Sequence, residues 1–412
     1  MNRSSRQSYV RLFFLVVCVI QSAIAQEHPV LYQGSSTHAG ITDSPPVLSL
    51  RGVKFAFQTG GAIRTVPAIW SGTLYFGSLD GTVYAVDAKS GKERWRFTTS
   101  EPVSCSPAVY QNRIYVSSRD GKLYCLQAKD GKSVWSHSFG VDLPYTPGFD
   151  YYHSSPTIDG NVLYVGSGDG NVYAMDPANG RVRWKTQVGS RVRNSPAVTG
   201  DLLIVGTMNG YVIALKKSDG AVAWRYETFG ATLKFEDWGF DRAGLVSSPS
   251  VHDGIVTIGC RDGFVYALDA KTGALRWKYD QDVTWPISTP GLYKGNILVG
   301  TSDGSFFQSL SLNNGAEQWR LKVKGAVWSS PSIAGSMFSF GDLQGNIYGA
   351  SAENGEIFWR FKTGGAIYTS PIIHDGVVYC GSDDGYLYAL EGADRKSAQV
   401  EIRRGVFWED SK

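Results

Sequence analysis

The sequence predicts an all-β protein, a closed eight-bladed β-propeller of four-stranded antiparallel blades, on three observations. A proline, usually behind a serine, recurs as Pro67, Pro107, Pro156, Pro196, Pro249, Pro290, Pro331 and Pro371. Fourteen residues after each stands a turn glycine, from Gly81 and Gly121 through to Gly345 and Gly385. In the first seven units a tryptophan follows the proline by 28 or 29 residues: Trp95, Trp135, Trp184, Trp224, Trp277, Trp319 and Trp359. Repetition at this period marks one ring of stacked units and overrides the two or three domains that 412 residues would otherwise suggest.

In chain order, residues 1–25 come first. Arg3, Arg6 and Arg11 lead into the apolar run Leu12 to Ile20 and then Ala23-Ile24-Ala25, the pattern of a Sec-type signal peptide cleaved after Ala25. That run is far shorter than the roughly 20 apolar residues a spanning helix needs, so no transmembrane segment is expected. The expected location is the periplasm or the cell exterior. Cys18 lies inside the apolar run and not just after the cleavage point, so lipid anchoring is not expected. Without the three leader arginines, 37 basic residues face 37 acidic ones. No polybasic field is left for nucleic acid or an anionic membrane. Cys105, Cys125, Cys260 and Cys380 remain, on separate strands or distant blades, and are expected to be free, buried thiols.

Residues 26–53, rich in Ser, Gly and Pro, read as an N-terminal lead-in, residues 54–399 as the propeller, and residues 400–412 as a C-terminal tail. The third unit shows why each repeat is four strands. Its first strand ends at Asp159-Gly160, Val162 to Ser167 forms the second, and Asp169-Gly170 supplies the positive φ a tight hairpin demands. Val172 to Met175 makes the third, Asn179-Gly180 the next hairpin, and Val182 to Thr186 the fourth, with Trp184. Such a sheet buries its alternating apolar residues only between neighbours, and an indole on the outermost strand fills the widening wedge. The seven tryptophans are therefore assigned a structural role. The Asp-Gly turns lack the alternating oxygen ligands of a calcium loop.

The eighth unit stops after Leu387-Tyr388-Ala389-Leu390, without its fourth strand. Lys54 to Pro67 (KFAFQTGGAIRTVP) repeats Phe358 to Pro371 (FWRFKTGGAIYTSP), with Phe55 in the tryptophan slot. Pairing that N-terminal strand with the last three closes the ring and removes exposed edges.

With Asp87-Ala88-Lys89-Ser90-Gly91-Lys92 before Trp95, and Asp269-Ala270-Lys271-Thr272-Gly273 before Trp277, the units resemble the pyrroloquinoline quinone (PQQ) type repeat family, including its BamB-like exported propellers. The resemblance covers residues 54 to about 391. It implies a group that holds both PQQ-dependent dehydrogenases and a binding subunit of outer-membrane assembly. The dehydrogenases of the group use a vicinal cysteine pair, Ca²⁺ ligands and a catalytic aspartate. This chain has no Cys-Cys pair and no CxxCH haem site, so the repeat carries over as a scaffold, with no catalytic residue and no metal site assigned.

Two connections break the register. Trp135 to Pro156 is 21 residues and Trp224 to Pro249 is 25, where 12 or 13 is usual. The first insertion, around Gly140 to His153, carries Tyr151, Tyr152 and His153; the second, around Glu227 to Gly244, carries Asp237, Trp238 and Arg242. Both join an outermost strand to the next innermost one and so must share one rim, where a rigid scaffold displays binding loops. A second candidate is the position three before each proline: Arg64, Ser104, His153, Arg193, Val246, Ile287, Trp328 and Tyr368. Of these, Arg64, His153, Arg193, Trp328 and Tyr368 could meet a small anionic or aromatic ligand at the ring mouth. The expectation is an exported, monomeric, non-catalytic scaffold that binds a protein partner in the cell envelope and no cofactor. The alternative is a quinoprotein dehydrogenase or quinone-binding sensor using PQQ with Ca²⁺.

Overall fold

Short runs of β-branched and aromatic residues between glycine turns give eight four-stranded antiparallel sheets in a ring. A computed structural model describes residues 28–144, 153–282 and 284–393. In blade 1 the strands are Ala68–Trp70, Thr73–Gly77, Thr82–Asp87 and Glu93–Thr98, from the channel outward, and the other blades repeat this order. In blade 8, Ile372–His374, Val377–Gly381 and Tyr386–Gly392 are completed by Leu50–Gln58, as the sequence predicts. Phe55 faces Ala389 as Trp95 faces Ala85. That closing strand starts at Leu50 and not Lys54, because two bulges let the ladder run on.

The core is divided among the gaps between blades. On one side of its gap each indole from Trp95 to Trp319 packs against the glycine of the next blade's outer hairpin. A Cβ on Gly131 would lie 2.5 Å from the Trp95 ring, so that turn takes a residue without one, at φ +72°. The Trp95 Nε1–H then donates to Ala128 O at 2.9 Å. Trp135, Trp184, Trp224 and Trp277 donate in the same way to Pro177, Lys217, Ala270 and Leu312. Trp319 packs against Gly355, and Trp359 donates to Val47 O of the lead-in. In the turns, Asp80, Asp120, Asp169, Asp262 and Asp384 each accept a bond from the tyrosine four residues on, at 2.6 to 2.8 Å, and from a backbone N–H two residues on. These carboxylates brace the blade. Among the described residues, Cys105, Cys125, Cys260 and Cys380 are buried and unbridged.

The lead-in does more than precede the ring. It crosses the inner edges of five blades. Val30 exchanges two hydrogen bonds with Val109, and the amides of Val198, Val251, Leu292 and Ile333 donate to carbonyls of Ser36, Thr37, Ala39 and Gly40. Ile41–Thr42 adds a parallel fifth strand to blade 7. No helix among the described residues is long and apolar enough to cross a membrane.

Candidate functional site

Each innermost strand enters the channel with alternate residues facing the axis, so two rings of side chains stack there. The lower ring is the residue just before each proline. Its hydroxyls form a belt between blades: the amides of Val66, Ser106, Ser155, Ser195, Ser248, Thr289 and Ser330 donate to Ser106, Ser155, Ser195, Ser248, Thr289, Ser330 and Ser370, at 2.8 to 3.2 Å. The belt breaks once, at Val66, which has no hydroxyl to offer Ser370. Tyr32 of the lead-in closes the floor, its hydroxyl 3.0 Å from Thr289 Oγ1 and 3.2 Å from Ser330 Oγ. Burial pushes the Tyr32 phenol above its usual pKa, so it stays neutral.

The upper ring is the one three before each proline, and all eight members line a single cavity of about 50 Å³. Blades 1 to 4 contribute Arg64, Ser104, His153 and Arg193, a polar, cationic half. Blades 5 to 8 contribute Val246, Ile287, Trp328 and Tyr368, an apolar half, with Trp285 packed behind. Arg64 makes a two-pronged ion pair with Asp383, at 2.9 and 2.8 Å, and lies 4.1 Å over the Tyr368 ring. Arg193 pairs with Asp142 of the first insertion at 2.6 Å, and Arg191 reaches the same oxygen at 3.5 Å. His153 Nδ1 lies 2.8 Å from Ser104 Oγ, its neighbour in the same ring. Burial, then Arg193, Arg119 and Arg191, hold the His153 pKa well below its ordinary value, so the ring is neutral at pH 7.

The second insertion forms a single 3-10 turn, Phe229–Thr232, and one helical turn, Phe235–Trp238. Its base is buried and polar. Asp262 accepts from Gly230 N and Tyr266 Oη at 2.8 and 2.6 Å, and Arg261 pairs with Asp241 at 2.7 Å. Arg242 donates to Asp262 O at 2.9 Å, with its guanidinium 4.3 Å from the Trp238 ring. On that base stand Phe229, Phe235, Trp238 and Phe240, exposed by 49, 37, 45 and 40 %. Asp237 is exposed among them, whereas Arg242 is turned inward at 7 % exposure and acts as a prop beneath Trp238. Tyr151 and Tyr152 lie outside the described residues. Sequence reasoning therefore found the members of the upper ring. It missed the hydroxyl belt, Tyr32, and the aspartates that meet Arg64 and Arg193; for the belt alone, the repeated serine before each proline was a usable signal.

The fold and this mouth define a closed quinoprotein-type propeller whose distinguishing features, among the described residues, are a small central well and an aromatic rim loop. The chain belongs to the PQQ-type repeat family described as outer-membrane protein assembly factor BamB, whose pattern matches residues 49–191, 140–282, 234–326 and 307–398. It is 32 % identical over 102 residues to the outer-membrane protein assembly factor BamB of Xanthomonas campestris pv. campestris, a stretch covering 23 % of this chain and 25 % of that protein. BamB of Moraxella catarrhalis superposes with a TM-score of 0.65 at 18 % identity, covering 83 % of this chain and 98 % of that one. The quinohemoprotein alcohol dehydrogenase of Comamonas testosteroni superposes at 0.70 and 14 % identity, over 89 % of this chain and 81 % of that one. Identities this low establish shared fold alone.

Proposed function

We propose that this protein is an exported, non-catalytic binding scaffold that uses the rim carrying residues 227–244 to engage a protein partner in outer-membrane assembly. The observation that carries the reading is the group Phe229, Phe235, Trp238 and Phe240, held in water by a buried base of Arg242, Asp262, Arg261 and Asp241. Exposed aromatics on a rigid support lose little conformational entropy on docking, which is how binding anchors are built. The family's description supplies the context.

The alternative, a PQQ-dependent dehydrogenase or quinone sensor, asks the mouth to hold a tricyclic tricarboxylate beside Ca²⁺. The residues present do not fit that group. The well offers about 50 Å³, against the roughly 300 Å³ or more of sites that enclose a ligand of cofactor size. Both mouth arginines already face carboxylates. Among the described residues no three His, Cys, Asp or Glu side chains are grouped to hold a metal ion.

The test is complementation of a gene deletion, read as the amount of folded β-barrel protein in the outer membrane. The wild-type chain is expected to restore it and the triple variant Phe235→Ala, Trp238→Ala, Phe240→Ala to fail while accumulating normally. Full restoration by the triple variant overturns the rim as the working surface. Quinone absorbance retained on the protein after incubation with PQQ and Ca²⁺ and gel filtration would favour the alternative instead.

A further inference from the structure

The face of the ring opposite the rim insertions carries an unfilled strand edge. The middle residue of each innermost strand points its amide into the channel, and in blades 2, 4, 5, 6 and 7 that amide donates to a lead-in carbonyl. The corresponding amides of Ile69 in blade 1 and Ile373 in blade 8 make no hydrogen bond among the described residues, and the Ile373 carbonyl is met only by Thr42 Oγ1 at 3.2 Å. Both border one groove of about 800 Å³, floored by Ile69, Trp70, Ile372 and Ile373 and flanked by Asp43 and Asp375. Ile69, Trp70 and Ile372 are half-buried, with apolar surface left facing the groove.

We propose that this groove is the docking site of the chain's own C-terminal segment, Val400 to Trp408, which adds as an extended strand to the inner edges of blades 8 and 1. The chain already uses this mode once, in the lead-in that lies beside the groove, so the new contact continues an existing one. The described chain ends at Ala393, whose amide donates to Ser49 O, one residue after Gly392 bonds to Gly376 O. Gly376 belongs to the hairpin that follows Asp375, so the exit point lies at the groove's rim. Residues 394–399 can span roughly 20 Å when extended, enough to bring Val400 to the edge.

The composition of the segment suits the site. Val400-Glu401-Ile402 alternates apolar and polar as a half-buried strand does, and Val406-Phe407-Trp408 is rich in β-favouring side chains. Between them Arg403-Arg404 meets the charge of Asp43 and Asp375. Two β-prone runs thus match two unfilled edges, and two buried or half-buried amides gain acceptors.

Residue-resolved amide exchange tests this in the full chain, in a chain ending at Ala393, and in the full chain carrying Phe407→Asp. Ile69 and Ile373 amides are expected to be protected in the full chain and to exchange at least about tenfold faster in both altered forms. Ile158, whose amide also makes no hydrogen bond among the described residues but lies across the lead-in in blade 3, serves as the control and should not change. Equal exchange at Ile69 and Ile373 in all three forms overturns the proposal. The Phe407→Asp variant keeps the test decisive if the shortened chain does not fold. None of these substitutions touches the rim, so failure here leaves the proposed function standing, and the reverse.

Discussion

The hydroxyl belt allows one deletion and one addition to be compared within the same ring. In Ser106→Ala the Val66 amide, 2.9 Å from Ser106 Oγ, loses its acceptor inside the protein. A buried donor left unsatisfied costs about 1 to 3 kcal/mol. Val66→Thr is the reciprocal change. It supplies a hydroxyl where the belt breaks, at nearly constant volume, and offers the Ser370 amide an acceptor. Thr289 already fills this position in blade 6 and accepts from Ser248 at 3.2 Å, so the geometry tolerates threonine. The net gain of one hydrogen bond is about 0.5 to 1.5 kcal/mol. In a ring of this size about 2 kcal/mol moves the thermal midpoint by only a few degrees, roughly 2 to 3 °C. Amide exchange reads the same change locally, where about 1.4 kcal/mol is a factor of ten. Val66 should exchange faster by about ten- to a hundredfold in Ser106→Ala, and Ser370 more slowly by several-fold in Val66→Thr. If neither rate moves, the belt is a geometric coincidence and does not hold neighbouring blades together.

Other outcomes follow from the same structure. Trp224→Phe removes the donor to Ala270 O and part of a buried indole, and should lower stability by about 1 to 3 kcal/mol in urea titration. Trp319→Phe should cost less, since its N–H makes no hydrogen bond among the described residues. Trp238→Ala removes a half-exposed ring that lies over the buried Arg242 guanidinium and should lower stability by about 1 kcal/mol, too little to unfold the ring, so a loss of complementation at normal accumulation is a binding effect. Burial lowers the pKa of His38 and of His252 to about 4 each, from an ordinary 6.5. Their neutral forms are favoured in the folded state, so their contribution is full above about pH 6.5. It declines as the unfolded chain takes up protons first, and levels off once the folded rings protonate near pH 4. For His38 alone this amounts to about 3 kcal/mol. Stability against urea should therefore fall between pH 6.5 and 4, less steeply in His38→Gln; an identical slope in that variant would exclude His38 as a source.

The sequence alone determined the ring, the number of blades, the closing strand and the membership of the upper ring at the mouth. Those features repeat, and a repeat fixes them through local chemistry: a glycine where φ must be positive, a tryptophan where the wedge is wide, period-two alternation that aims one residue in two at the axis. What occurs once could not be read this way. The course of the lead-in over five blades, Tyr32 on the floor of the well, and Asp383 and Asp142 on the two mouth arginines each pair residues remote in the chain. No period links such partners; only the packed ring, by setting which backbone groups and charges stay unsatisfied, selects them.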